Sequence, residues 1–134
     1  LLPVTQYSVP SSEVVLRWLR ENPQAGPWAR TVAIDYLMKL GLYLGRLEQA
    51  WVEDAFRENL VSGLPLIIAA ESIEKTDSQQ ALALVRRSRA LDLYNAKAWA
   101  VELRLLAALG REKERAALEA LRQPYLDKGL LFND

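Results

Sequence analysis

From Ser11 onward the chain is cut into short apolar-periodic segments, each closed by a turn signal, and this segmentation limits the fold more than any other feature. Ser11 or Ser12 can cap a first helix reaching about Glu21, with Val14, Val15, Trp18 and Leu19 on its apolar side. Asn22-Pro23 ends it and Gly26-Pro27 opens the next, since proline is tolerated in a first helical turn. The second helix runs from about Trp28 to Leu44 and is expected to bury Val32, Ile34, Leu37, Met38 and Leu40 or Gly41, with Gly45 as its stop. A third, about Leu47 to Leu60, carries Ala50, Trp51, Ala55 and Phe56; after Ser62-Gly63 a strongly apolar fourth covers Leu64 to Lys75. Thr76 or Asp77 caps a fifth with Ala81, Leu84, Val85, Ser88 and Leu91 on one side and Arg86, Arg87 and Arg89 on the other. Asn95 caps a sixth, Ala96 to Leu109, which Gly110 stops. A seventh spans about Arg111 to Arg122, before Pro124. No segment sustains the period-two alternation of an interior strand. The expected class is all-α: seven short helices joined by tight turns, forming one domain over residues 11–134.

The stretch Leu1 to Pro10 differs. Pro3 and Pro10 enclose Val4, Thr5, Tyr7 and Val9, a composition that favours extended backbone and reads as a linker or lead-in strand. The opening Leu1-Leu2-Pro3-Val4 lacks methionine and reads as a maturation site or as a boundary inside a longer protein. No basic stretch followed by an apolar one marks a signal peptide here. The longest apolar run, Leu64 to Ala70, contains Pro65 and falls far short of the roughly 20 residues that a spanning helix needs.

Composition removes several classes of chemistry. Lys plus Arg number 17 and Asp plus Glu 17, so the net charge is zero, which argues against a dedicated nucleic-acid binder. Apolar residues make up 51% and charged residues 25%, the balance of a folded globular domain. There is no cysteine and no histidine, so neither a thiolate metal site nor a Ser–His or Cys–His nucleophile can be assembled. The six glycines are scattered singly at turns and form no phosphate loop. Glu53 and Asp54, being adjacent, point to different sides of a helix. Glu71 and Glu74, one turn apart, have the spacing of an acid/base pair but also that of an ordinary solvated face. No catalytic residue, cofactor or metal ligand is expected in this chain.

The chain repeats itself. Ala33-Ile34, Leu40 and Leu44-Gly45-Arg46 match Ala98-Trp99, Leu105 and Leu109-Gly110-Arg111, 65 residues further on. Each Leu-Gly-Arg triplet lies between an apolar helix and a more charged one, where glycine lets the chain double back. Over Leu91 to Gly110 the pattern resembles the tetratricopeptide repeat, whose helix–turn–helix units are about 34 residues long. Ala81, Val85 and Ser88 match the small, bulky and small positions of a second helix; Leu91-Asp92, Asn95-Ala96 and Ala98-Trp99 match the junction into the next unit. Leu93 stands where that family usually has proline, Leu103 and Arg115 where it has small residues, and Asp54 and Arg57 depart from the pattern in the earlier copy. The resemblance implies a short right-handed stack of antiparallel helix hairpins whose first helices line a concave groove.

Charge placement gives the functional candidates. Between Arg86 and Arg115 eight cations stand against Asp92, Glu102, Glu112 and Glu114. On the sixth helix Lys97, Ala100, Arg104 and Ala107 or Ala108 recur at helical spacing, and by resemblance these positions face the groove. Small alanines beside two cations leave room for an incoming carboxylate, phosphate or acidic peptide. Lys97, Arg104, Arg86, Arg87 and Arg111 are therefore the candidate partner-binding residues; the plainer alternative has them solvating the surface and pairing with Glu102 or Glu112. Trp99 belongs to the core on either view.

Three functions fit. The first is a non-catalytic interaction or scaffold domain that holds a protein or acidic peptide segment in its groove. The second is an accessory domain of a larger membrane enzyme, cytoplasmic or periplasmic; the layout is similar to the helical tails of bacterial glycan ligases and polymerases, including pilin glycosyltransferases. The third is an oligomerisation bundle that self-associates through Leu64–Ala70 or the Leu130-Leu131-Phe132 end.

Overall fold

The computed structural model describes residues 12–45, 51, 57, 58 and 60–133. The lead-in over 1–10 lies outside the described residues, as does most of the expected third helix, including Ala50, Ala55 and Phe56. Six helices are present among the described residues: α1 (Ser12–Glu21), α2 (Pro27–Tyr43), α3 (Leu64–Ile73), α4 (Ser78–Leu91), α5 (Ala96–Ala108) and α6 (Glu112–Asp127). The one β-type pairing among them is an isolated parallel bridge between Asn95 and Phe132. The class is all-α.

Local chemistry sets the helix ends. The Asp77 carboxylate accepts from the Gln80 amide at 3.1 Å and the Asn95 side chain from the Lys97 amide at 3.0 Å, each satisfying an amide that the first helical turn leaves over. Pro27 and Pro65 sit in the first turns of α2 and α3. The two Leu-Gly-Arg sites close their helices alike. The Leu44 amide donates to the Leu40 carbonyl at 2.9 Å and that of Leu109 to Leu105 at 3.0 Å. Gly45 and Gly110 follow with φ of 72° and 70°, the left-handed region where a Cβ is disfavoured.

α3 lies in the middle. Pro65, Leu66, Ile67, Ile68, Ala69, Ala70 and Ile73 are all buried, because α3 packs against α2, α4 and α5. A helix apolar all round requires neighbours on every side. The Leu64–Ala70 run is thus consumed within one chain and leaves no apolar face on α3 for a second copy. Trp99 of α5 is fully buried, its indole N–H donating to the Leu93 carbonyl at 2.7 Å.

Two expectations are corrected. Val32 is 59% exposed rather than buried. Ile34, Leu37, Met38 and Gly41 fix the inward side of α2, and Val32, two residues before Ile34, points about 200° away from it. Pro124 does not end the last helix; α6 continues to Asp127. Proline removes one donor, but the carbonyl it leaves unserved, that of Ala120, belongs to an exposed residue and can be hydrated. The last turn is held by Tyr125, whose ring lies 5.5 Å from Trp99 and 6.2 Å from Tyr94. Gly129, at φ 64°, then turns the tail back, so that the Phe132 amide donates to Tyr94 and the Ala96 amide to Phe132. The Leu130–Phe132 end is pinned to the α4–α5 corner.

Gly63 and Ser88 bring the start of α3 close to the backbone of α4. The Ser88 hydroxyl donates to the Gly63 carbonyl at 2.9 Å, and a Cβ on Gly63 would stand 2.6 Å from Ser88 Oγ and 2.7 Å from its backbone oxygen. A methyl there pushes on the backbone of α4, which cannot swing aside. Gly63→Ala is expected to destabilise the domain by about 1–3 kcal/mol. Gly110→Ala, in open space, loses only the left-handed preference, about 1 kcal/mol. Urea midpoints check the ranking, with Gly63→Ala the lower of the two.

Candidate interaction surface

The five candidate cations do not form one patch. Lys97 and Arg104 project from one exposed side of α5 toward α3. Lys97 Nζ lies 3.0 Å from Glu71, and Arg104 makes a two-pronged contact with Glu74, both nitrogens at 2.8 Å, and lies 3.7 Å from Glu71. The hydrogen bond that Arg104 donates to Glu74 is the largest influence on it and raises a pKa that already kept it charged. Glu71 and Glu74 are therefore counter-ions that tie α3 to α5.

Arg86, Arg87 and Arg111 serve other contacts. Arg87 donates to the Glu58 carbonyl at 2.6 Å, while the Glu58 carboxylate is gripped by Arg30 at 2.6 and 3.0 Å. Arg30 also donates to the carbonyls of Leu19 and Asn22, so it binds the end of α1 to this point. Arg86 and Arg89 share Glu102, with Nε contacts of 3.3 and 2.7 Å. Arg111 pairs with Glu114, whose carboxyl the Arg111 hydrogen bond holds below its ordinary range. Glu102 itself is 2% exposed. On α5, Glu102 and Leu106 stand roughly 140–180° from Lys97, on the opposite side of the helix.

The outward side of α2 lies outside the candidates that charge placement picks out. The spacing that relates the two triplets pairs Val32 with Lys97, Asp35 with Ala100, Lys39 with Arg104, and Leu42 and Tyr43 with Ala107 and Ala108. Every one of these positions except Asp35, which is half-buried, is exposed in the structure, and Tyr43 is 87% exposed. Val32 lies between two hollows. One is apolar and lined by Val14, Trp18, Ala33 and Tyr36; the other is bounded by Trp28, Asp35, Ser62 and Leu64 at the α2–α3 corner. Lys39 is held by Asp35 at 2.8 Å, as Lys97 is by Glu71. The signal was available in the repeat itself, since the partner-facing positions inferred for one copy transfer to the other.

Among the described residues no three His, Cys, Asp or Glu side chains converge as a metal site requires, and no helix is long and apolar enough to cross a membrane. No family model matches the chain, and searches of curated proteins and of solved structures find no match either.

Because Lys97 and Arg104 are about half exposed, their ion pairs contribute little to folding. The double variant Lys97→Ala/Arg104→Ala is expected to lower stability by no more than about 1 kcal/mol. Charge reversal is a poorer probe, since the new carboxylates would face Glu71 and Glu74. Glu102 is the contrast: Glu102→Ala removes a buried side chain and should cost about 2–4 kcal/mol, whereas Glu102→Leu refills the space and should stay within about 1–2 kcal/mol of the parent. Chemical denaturation of the three variants tests both statements.

Proposed function

We propose that this chain is a non-catalytic protein-interaction domain, a right-handed stack of antiparallel helix hairpins of the tetratricopeptide kind, which holds a partner segment across the outward sides of α2, α3 and α5. The observation that carries the reading is the equivalence of exposed positions on α2 and α5, both of which pack on α3. Repeated hairpins that stack side by side present equivalent sides of their first helices as one extended surface.

The two ends of that surface differ in chemistry. On α2 the exposed Trp28, Val32, Leu42 and Tyr43 supply apolar and aromatic area, the kind that anchors a bound segment. Across α3 and α5 lie Glu71, Glu74, Lys97 and Arg104, charges already paired with one another. A partner with apolar side chains at one end and acidic ones at the other can lay the first on α2. Its carboxylates then exchange with Glu71 for Lys97 and Arg104. Such an exchange adds little net charge attraction, so the affinity resides in the apolar end and the direction of the segment in the charged end.

Selection from a random-peptide display library on the whole chain tests this. The expected outcome is a set of peptides carrying an apolar cluster and an acidic cluster. Val32→Asp and Tyr43→Asp should abolish their binding, and Lys97→Ala/Arg104→Ala should weaken it about tenfold, while the melting temperatures stay near that of the parent. Selected peptides that bind all these variants as well as the parent, or a selection that enriches no peptide, overturn the proposal.

A further inference from the structure

The buried carboxylate of Glu102 is not required by the fold. The repeat relation places Leu37 at the same position of α2, equally buried, and α2 packs without a charge there. The residues at the positions of Arg86 and Arg89 are Glu21 and Gln24, so the two arginines and the carboxylate are all absent from the earlier copy. A buried ion group is a poor source of stability, because desolvation offsets most of the attraction. Its effect here is geometric. Glu102 receives the Nε–H of Arg89 at 2.7 Å and of Arg86 at 3.3 Å, and the Arg89 guanidinium is further held 4.8 Å over the Trp99 ring. The two Nη nitrogens of Arg89 have no hydrogen-bond partner among the described residues, and Arg86 Nη2 lies 3.6 Å from Glu114.

These groups border a cleft between α4 and α6, on the far side of α5 from the surface proposed above. Leu106 forms its floor; Ala117, Leu118 and Leu121 form the α6 wall, with Leu121 54% exposed. The ionised groups that line it are Arg86 and Arg89 against Glu102 and Glu114, two charges of each sign. We infer that this cleft binds a small amphipathic carboxylate, an aliphatic monoacid whose head lies on the guanidinium edges of Arg89 and Arg86 and whose chain runs along Leu106, Ala117, Leu118 and Leu121. A planar guanidinium fixed through its Nε presents its remaining donors to a carboxylate without further loss of side-chain freedom. The Nη donors of Arg89, held in place through its Nε, suit one carboxylate head, and the aliphatic wall suits a hydrocarbon chain. A bare inorganic anion leaves that wall unused.

Titration of the isotope-labelled full chain with octanoate, followed by amide NMR, tests the inference. Saturable shifts are expected at Ala117, Leu118 and Leu121. Arg86→Gln and Leu121→Asp, both at partly exposed positions, should each weaken binding about tenfold with helicity and melting temperature retained. Lys97→Ala/Arg104→Ala should bind octanoate as the parent does, which separates this site from the interaction surface. Octanol that shifts the same amides equally would reduce the cleft to an apolar adsorption site. Inorganic phosphate that does so would reduce it to an unspecific anion site. Either result, or octanoate binding unchanged in both variants, or no saturable shift, overturns the inference.

Discussion

The architecture depends on the burial of α3 from Pro65 to Ala70. Its run from Pro65 to Ala70 offers no polar side to water, so it is stable only where α2, α4 and α5 cover it together. The three helices that surround it are thereby fixed relative to one another. The outward sides of α2 and α5 come to flank α3, and α4 is confined to the space behind α3 and α5. The hydrophobic requirement of this one short run settles where the charged and aromatic side chains of the neighbouring helices point.

The electrostatics divide along α5 in consequence. One side carries Lys97 and Arg104, exposed and answered by Glu71 and Glu74 across a solvated seam. The other carries Glu102, buried and answered by Arg86 and Arg89. Pairs of the first kind are readily exchanged, because water screens them and stands ready to replace either partner. Those of the second kind hold their geometry, because leaving a buried carboxylate without donors is costly. The two sides thus differ in kind: one carries exchangeable surface pairs, the other donors fixed on a buried acid.

Much of this could be read from the residues. The helix class, the caps at Asp77 and Asn95, the left-handed glycines after Leu44 and Leu109, and the burial of Trp99 all follow from local chemistry or from one helix's periodicity. The rest turns on helix phase and on non-local contacts. Val32 has the composition of a core residue, and only the phase set by Ile34, Leu37 and Met38 shows that it faces outward. Pro124 looks like a terminator until Tyr125 is seen against Trp99 and Tyr94. Arg86, Arg87, Lys97, Arg104 and Arg111 look like one basic arc because sequence gives no distance. Their counter-ions lie on different helices, and Arg87 reaches a backbone carbonyl that no charge pattern could announce. Glu102 is the instructive case, since its spacing from Trp99 and Leu106 already placed it on the inward side of α5.

The contact between Gly63 and Ser88 has a consequence for the uniqueness of the packing. Helices that meet through aliphatic side chains can often slide by one turn at modest cost, because one leucine fills a hole much as another does. The residues one turn to either side of Ser88 are Leu84, Val85, Leu91 and the capping Asp92, all bulkier than serine. None of them leaves room for the chain at Gly63 to pass at the separation that Ser88 allows. The pair therefore acts as a key cut for a single notch: α4 can seat against α3 in one axial position, and its neighbours inherit that alignment.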